Sequence, residues 1–418
     1  MDPVMVKRVL MVAYHFPPMR GSSGIQRTLK FARYLPQFGW NPLVLSAHPR
    51  AYARTGDDQM GEIAAGTPVQ RAFALDTSRH LSFKGKYLSA LALPDRWSSW
   101  WLGAVPAGLR MIRKYRPDAI WSTYPIATAH LVGYTLHKLT GLPWIADFRD
   151  PMTDEGYPPD PAMRRAYLWI EKKTLRHCTR AVFSTPGTIR DHIRRFPEIP
   201  ASRFVLIENG YDEENFASAA TGTAPARAPG GPLVLVHSGI IYPSERDPVP
   251  LFEALSDLLK QGAIGPDTLR IILRATAHDE YLQPLIDSNG IGGIVTLAPP
   301  VPYRDALAEM LDADGLLILQ AANCNSQIPA KLYEYLRAQR PILALTDANG
   351  DTAQSLRGAG IDTIAPLDDR SAIATGLLRF IALLRAGTAP VTPMADVRLR
   401  SREGRTQELA SLLDNLGT

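Results

Sequence analysis

Short runs of aliphatic and β-branched residues recur along this chain, with segments of helical period between them, from near the first residue to near the last. In the first half "RVLMVA", "PLVLS", "DAIWST", "PWIAD", "RAVFS" and "FVLIE" read as strands, several of them closed by Pro, Gly or Asp. Between them "IQRTLKFARYL" and "PAMRRAYLWIEKKTLRHC" read as helices. Strands separated by helices specify a parallel sheet covered on both faces. The pattern breaks at "ASAATGTAPARAPGGP", which is rich in Ala, Pro and Gly and has no hydrophobic period, the composition of a linker. It then restarts with "LVLVHS", "LRIILRA", "IVTLA", "GLLILQ", "PILAL" and "IDTIAP". The expected architecture is α/β: two doubly wound parallel-sheet domains, 1–216 and 233–394, joined by a linker at 217–232 and facing each other across a cleft. Residues 395–418 read as a charged helix packing back on the first domain. A chain of 418 residues is long enough for two cores.

Composition narrows the classes of partner. The fractions of 45% hydrophobic and 21% charged residues are those of a folded soluble chain. The apolar run near the start is cut by Tyr14, His15 and two prolines, so it reads as a buried strand rather than a secretory leader. No run approaches the roughly 20 apolar residues of a membrane span, and the expected location is the cytoplasm. Cys178 and Cys324 stand far apart without a C-x-x-C, and no H-E-x-x-H occurs, so neither a disulfide framework nor a bound metal is expected. A formal charge of +5 favours anionic partners such as phosphates or lipid headgroups. Nucleic acid is not expected, since no long basic run or zinc-finger spacing is present.

Three stretches sit where parallel sheets bind ligands, at the carboxyl ends of strands. In "RGSSGIQR", Gly21 and Gly24 are spaced G-x-x-G, which excludes the G-x-G-x-x-G dinucleotide fingerprint. It leaves a turn whose backbone could approach an anion at a helix start, or a turn that merely connects. In "NSQIPAKLYEYLRAQRPILAL", Ser326 or Gln327 is a candidate cap and Pro329 suits a first helical position, with the helix running to about Gln339. Lys331 in that first turn is unfavourable against the helix dipole by ~0.3 to 1 kcal/mol unless an anion is near. Glu334 has acceptor capacity for two ribose hydroxyls, or pairs with Lys331 as a solvated i,i+3 pair. In "HSGIIYPSERDPVPLFEAL", Arg246 offers a planar fork to phosphate oxygens, or a surface pair with Asp247.

Taken together, "FPPMRGSSGIQRTLKFARYL", "PWIADFRDP", "AVFSTPGTIRDH", "IENGYDEENF", "HSGIIYPSERDP" and "IPAKLYEYLRAQRPILAL" resemble, in order and spacing, the retaining glycosyltransferases of family 4 across nearly the whole chain. That resemblance implies the GT-B fold of two Rossmann-like domains. It implies transfer of a sugar, with retention and without a metal or bound cofactor, from a nucleotide-diphosphate sugar, UDP- or GDP-linked, to an acceptor hydroxyl in surface polysaccharide or glycolipid synthesis. By the same resemblance Arg246 and Lys331 neutralise the departing diphosphate, Glu334 holds the ribose and Gly24 lets backbone reach the donor phosphates. The implied donor-binding set adds Gly21, Gly239, Ser326, Ile328 and Pro329. His15, Asp147, Arg149 and Asp150 form the acceptor side, with Arg149 and Asp150 joining Arg246 and Lys331 as catalytic candidates. The family commonly has two glutamates eight positions apart here; the first position is Ser326, so the donor sugar is not fixed by analogy.

Two further features belong to the same reading. Trp97, Trp100 and Trp101 lie close in sequence to Arg110, Arg113, Lys114 and Arg116, a candidate peripheral membrane contact on the cytoplasmic face if the acceptor is lipid-linked, or else core tryptophans beside a solvated basic face. His130 reads as a core histidine. Two alternatives remain on the same fold: a nucleotide-sugar 2-epimerase, whose usual His-Arg-x-Glu-Asn run is missing, and a non-catalytic nucleotide-sugar binding protein.

Overall fold

A computed structural model describes residues 7–22, 24–219 and 230–416. The chain divides into two compact units, 1–209 with 402–418, and 210–401.

The first unit runs β1 (Lys7–Val12), α1 (Gly24–Tyr34), β2 (Trp40–Ala47), β3 (Val69–Ala72), α2 (Thr77–His80), α3 (Trp100–Tyr115), β4 (Ala119–Thr123), α4 (Ala127–Thr140), β5 (Trp144–Arg149), α5 (Pro161–His177), β6 (Arg180–Phe183), α6 (Pro186–Arg195) and β7 (Phe204–Leu206). The strands form one parallel sheet in the order β3-β2-β1-β4-β5-β6-β7. Alternation along β1 explains its two covered faces. Leu10 and Val12 join the core beneath α3 and α4, while Val9 and Met11 join Ile25 and Leu29 of α1 in the other. Helix starts follow local chemistry: Asp160 accepts from Met163 N–H ahead of Pro161, and Thr185 accepts from Thr188 N–H ahead of Pro186.

The second unit runs α7 (Glu213–Ala219), β8 (Leu233–Ser238), α8 (Val249–Lys260), β9 (Leu269–Arg274), α9 (Asp279–Ser288), β10 (Val295–Ala298), α10 (Tyr303–Asp312), β11 (Gly315–Leu319), α11 (Lys331–Ala338), β12 (Ile342–Leu345), α12 (Asp351–Gly358), β13 (Ile364–Ala365), α13 (Arg370–Ala386) and α14 (Met394–Leu399). Its parallel sheet has the order β10-β9-β8-β11-β12-β13. Leu235 faces one core, and Val234 and Val236 the other. Two Rossmann-like doubly wound units are therefore present.

Two boundaries differ from the sequence expectation. Helix α7 carries Phe216 and Ala219 into the core of the second unit, so that unit starts at 210. Of the linker expected at 217–232, residues 220–229 lie outside the described residues. At the other end the chain returns to the first unit as α15 (Arg402–Asp414), where Leu409, Ala410 and Leu413 are buried with α1. Lys7 and Trp40 Nε1 both donate to Asp414, at 2.7 and 3.0 Å.

Of the two readings of the tryptophans, core packing holds and the membrane contact through them does not. Trp100 is wholly buried, Trp97 and Trp101 pack against the same core, and Trp101 Nε1 donates to Thr135 Oγ1 at 3.0 Å. Trp100 and Trp101 open α3 and Trp97 precedes it, whereas exposed Arg110, Arg113, Lys114 and Arg116 lie about 15 to 24 Å beyond Trp100 at 1.5 Å per residue. His130 is a core residue, wholly buried and close to Trp144 and Phe148, with its Nδ1 2.8 Å from Ser122 Oγ. Among the described residues no helix is long and apolar enough to cross a membrane.

Candidate functional site

The sequence candidates collect at the carboxyl ends of the strands, in two groups, one in each unit.

In the second unit the group surrounds the end of β8 and the start of α11. Strands β8 and β11 are neighbours, so the turn after β8 and the helix after β11 converge. Gly239 follows β8 with φ of +109°, a conformation that favours glycine, and a Cβ placed there would stand 3.3 Å from Lys331 Nζ. Lys331 Nζ lies 2.9 Å from His237 Nε2. His237 Nδ1 lies 2.9 Å from Leu317 O, a carbonyl that can only accept, so the ring proton is on Nδ1. Bare Nε2 therefore receives the Lys331 N–H. Burial pushes the imidazole well below its ordinary pKa, and the neighbouring ammonium pushes it further.

Lys331 itself is lowered from 10.5 to about 7, first by removal from water and then by the Arg246 guanidinium, with Glu334 opposing. Arg246 is half-buried, donates to Ile240 O at 2.5 Å and lies over the Tyr242 ring at 5.4 Å. Among the described residues neither cation forms an ion pair with a carboxylate. Two cations thus repel each other beside the start of α11, where no side chain caps the first N–H groups. Such a place favours an anion.

The start of that helix differs from expectation. Pro329 precedes it, Lys331 is its first residue and Ala330 its cap, while Ser326 and Gln327 remain in the preceding loop. The loop is held otherwise: Gln320 Nε2 donates to Cys324 O at 2.9 Å and to Gln327 O at 3.0 Å, and Thr352 Oγ1 donates to Gln327 O at 3.1 Å. The Ile328 side chain is buried in the core, so only its backbone is available to a ligand. Glu334 accepts from Tyr303 Oη at 2.6 Å. Beyond β9, Ala275 and Ala277 hold φ of +58° and +61°, and a cavity of about 460 Å³ opens over Ala275–Tyr281, Ala298 and Pro300. Tyr281 Oη lies 3.4 Å from Asp247 Oδ1, joining this loop to the one that carries Arg246.

In the first unit the group lies past β1 and β5. Gly21 holds φ of +82°. A Cβ on Gly24 would fall 2.7 Å from His15 Nδ1 and 3.0 Å from an Arg149 guanidinium nitrogen, so the first residue of α1 can only be glycine without moving both. Gly24 N–H donates to Ser22 Oγ at 3.2 Å, and that hydroxyl lies 2.9 Å from His15 Nδ1. Burial and then Arg149 lower His15 to about 4, which keeps it neutral near pH 7. Arg149 takes φ of +62° at a bulge in β5, its carbonyl accepts from Ser184 N–H and Oγ, and its Nε is buried without a hydrogen-bond partner among the described residues. A positive φ together with a buried guanidinium nitrogen that lacks a hydrogen-bond partner makes Arg149 a candidate functional position. Asp150 is exposed beside it.

Asp147 is corrected. It is wholly buried, with Arg27 Nε and Nη2 donating to its carboxylate at 3.0 and 2.9 Å and Thr123 Oγ1 at 2.8 Å. Arg27 also donates to the Glu208 and Ile207 carbonyls. The pair clasps α1, β4, β5 and the end of β7, and leaves the carboxylate unable to meet a ligand. Arg27, His237 and Tyr303 are the residues that sequence reasoning missed. "LVLVHS" does place a histidine two positions before Gly239, but only the register of β8 against β11 reveals its partners.

Residues 23–210 match the family model described as a Glycosyl transferase 4-like domain. Among curated proteins, the D-inositol 3-phosphate glycosyltransferase of Kineococcus radiotolerans is 28% identical over 214 residues, which is 46% of this chain and 48% of that protein. The chain thus spans about half the length of the curated relative it matches. Among solved structures, a glycosyltransferase of Rickettsia africae aligns over 99% of both chains with a TM-score of 0.65 at 13% identity. HepE of Anabaena, solved with UDP-glucose, aligns over 97% of this chain and 99% of its own, with a TM-score of 0.62 at 14% identity. Residues 23–210 thus carry the match to a glycosyl transferase 4-like domain, and the two units have the GT-B fold of these solved glycosyltransferases.

Proposed function

We propose that the chain transfers a sugar, with retention and without a bound metal, from a UDP- or GDP-sugar to an acceptor hydroxyl in surface polysaccharide or glycolipid synthesis. The observation that carries this reading is the pair Lys331 and Arg246, two cations that repel each other and, among the described residues, form no ion pair with a carboxylate, beside an uncapped helix start. A diphosphate removes their repulsion. When the sugar–phosphate bond breaks, negative charge grows on the leaving group, and fixed cations aimed at that charge are each worth about 10²- to 10³-fold in rate. Glu334 and Tyr303 serve the ribose, and the cavity over β9 and β10 takes the nucleoside. In the first unit, neutral His15, Arg149 and exposed Asp150 serve the acceptor. Asp150 is the one carboxylate of that group left open to a hydroxyl.

A panel of UDP- and GDP-sugars, incubated with and without lipid-linked sugar acceptors in the presence of EDTA, tests the reading. The expected products are free nucleotide and an extended acceptor of unchanged anomeric configuration. An epimerised donor would favour the 2-epimerase, and loss of turnover in EDTA or an inverted linkage would overturn the metal-free or retaining mechanism.

A further inference from the structure

Between β3 and α3 the chain leaves the first unit's sheet as an excursion, residues 76–99, whose base is rigid and whose tip is apolar. At the base Thr77 N–H donates to Arg96 O at 2.8 Å, Ser99 Oγ bonds both to Leu75 N–H and to Leu75 O, and Asp76 accepts from Ser78 N–H at 3.0 Å. Buried Asp95 accepts from Trp97 N–H and from Thr128 N–H and Oγ1 at 2.9 to 3.0 Å. At the tip Phe83 and Lys86 exchange backbone hydrogen bonds around Lys84 and Gly85, both at positive φ, the geometry of a tight hairpin turn.

The surface this hairpin presents is unusual for a folded chain. Phe83 is 78% exposed and Leu88 73%, with Leu81, Tyr87 and Leu91 also exposed. Scattered apolar residues on a surface are ordinary, but five within eleven consecutive positions on one projecting turn form a patch. Lys84 and Lys86 flank them, Arg79 and His80 are exposed at the root, and residues 77–94 contain no Asp or Glu.

We infer that this hairpin is a membrane anchor that sinks its apolar tip among the headgroups of an anionic bilayer, with Lys84 and Lys86 on the lipid phosphates. Apolar side chains ringed by cations are what interfacial binding requires, burial supplying depth and charge supplying lipid selectivity. A second copy fits less well: in a two-fold contact the same lysines would face each other with no carboxylate between them. The hairpin leaves from the carboxyl end of the sheet, the end that also carries His15 and Arg149. The inference stands independently of the donor reading, because binding to vesicles needs no turnover.

Cosedimentation of the full chain with vesicles of phosphatidylcholine alone, and of phosphatidylcholine mixed with phosphatidylglycerol, tests it. Binding is expected to the mixed vesicles, with partitioning reduced by about tenfold or more in Phe83→Ser/Leu88→Ser and in Lys84→Glu/Lys86→Glu. Thermal midpoints and UDP affinity should be unchanged, since these side chains touch neither core nor site. Wild-type partitioning in both variants, no preference for the anionic vesicles, or conversion of a dimer to a monomer with vesicle binding untouched would overturn it.

Discussion

Lys331 carries a conflict that its neighbours do not resolve. It starts a helix, where the dipole disfavours a cation; it lies against a neutral imidazole; and removal from water, with Arg246 adding to it, lowers its pKa to about 7. An anion that needs the ammonium binds tightly where Lys331 is already protonated, below about pH 7. Above that it must recruit a proton. The dissociation constant for UDP is therefore expected to rise about tenfold per pH unit from about pH 7 to about pH 9, a range in which the nucleotide's phosphates hold their charge. Calorimetry in buffers of different ionisation enthalpy should register proton uptake on binding at about pH 8. A flat profile without uptake would show that Lys331 does not meet the nucleotide. At this scale the sequence revealed the cations, since Lys331 and Arg246 stand in recognisable strand–loop–helix stretches. It did not reveal their surroundings. His237 acquires its role from the pairing of β8 with β11, about 80 residues away in the chain, and Arg149 adopts a positive φ that no residue type announces.

At the scale of elements, most strands were legible because they are aliphatic or β-branched runs, several of them bounded by turn residues. Strand β3 was not, because Val69–Ala72 is a short edge strand with Gln70 and Arg71 at its centre, too polar to stand out. Helix α3 misled differently: its tryptophans sit beside a basic run in sequence, but helical rise separates them and the core claims the aromatics. The start of α11 lies later than expected, with Gln320 bracing the preceding loop from within and Thr352 from α12. The clasp between α1 and the strands rests on Arg27 and Asp147, a buried bidentate pair. Asp147→Asn leaves the Arg27 guanidinium buried and uncompensated, a loss of about 3 to 5 kcal/mol. Thermal unfolding of the variant should begin on the order of ten degrees lower for the first unit, with UDP affinity retained below that transition. An unchanged midpoint would mean that the carboxylate is not what holds the guanidinium.

Over the whole molecule, each unit has its own sheet and its own two core layers, and α15 returns the end of the chain to the first unit. The family match lies in the first unit, at residues 23–210, whereas the anion-seeking chemistry lies in the second. The sequence match and the proposed donor site thus lie in different units of one chain. Titration of the full chain with UDP and with GDP, beside the variants Arg246→Ala and Lys331→Ala, tests that site directly. One of the two nucleotides should bind the wild type without added metal, and each variant should weaken it by about tenfold or more with thermal midpoint preserved, in line with the loss of a charge-assisted contact. Wild-type affinity in both variants would contradict the placement of the diphosphate beside α11.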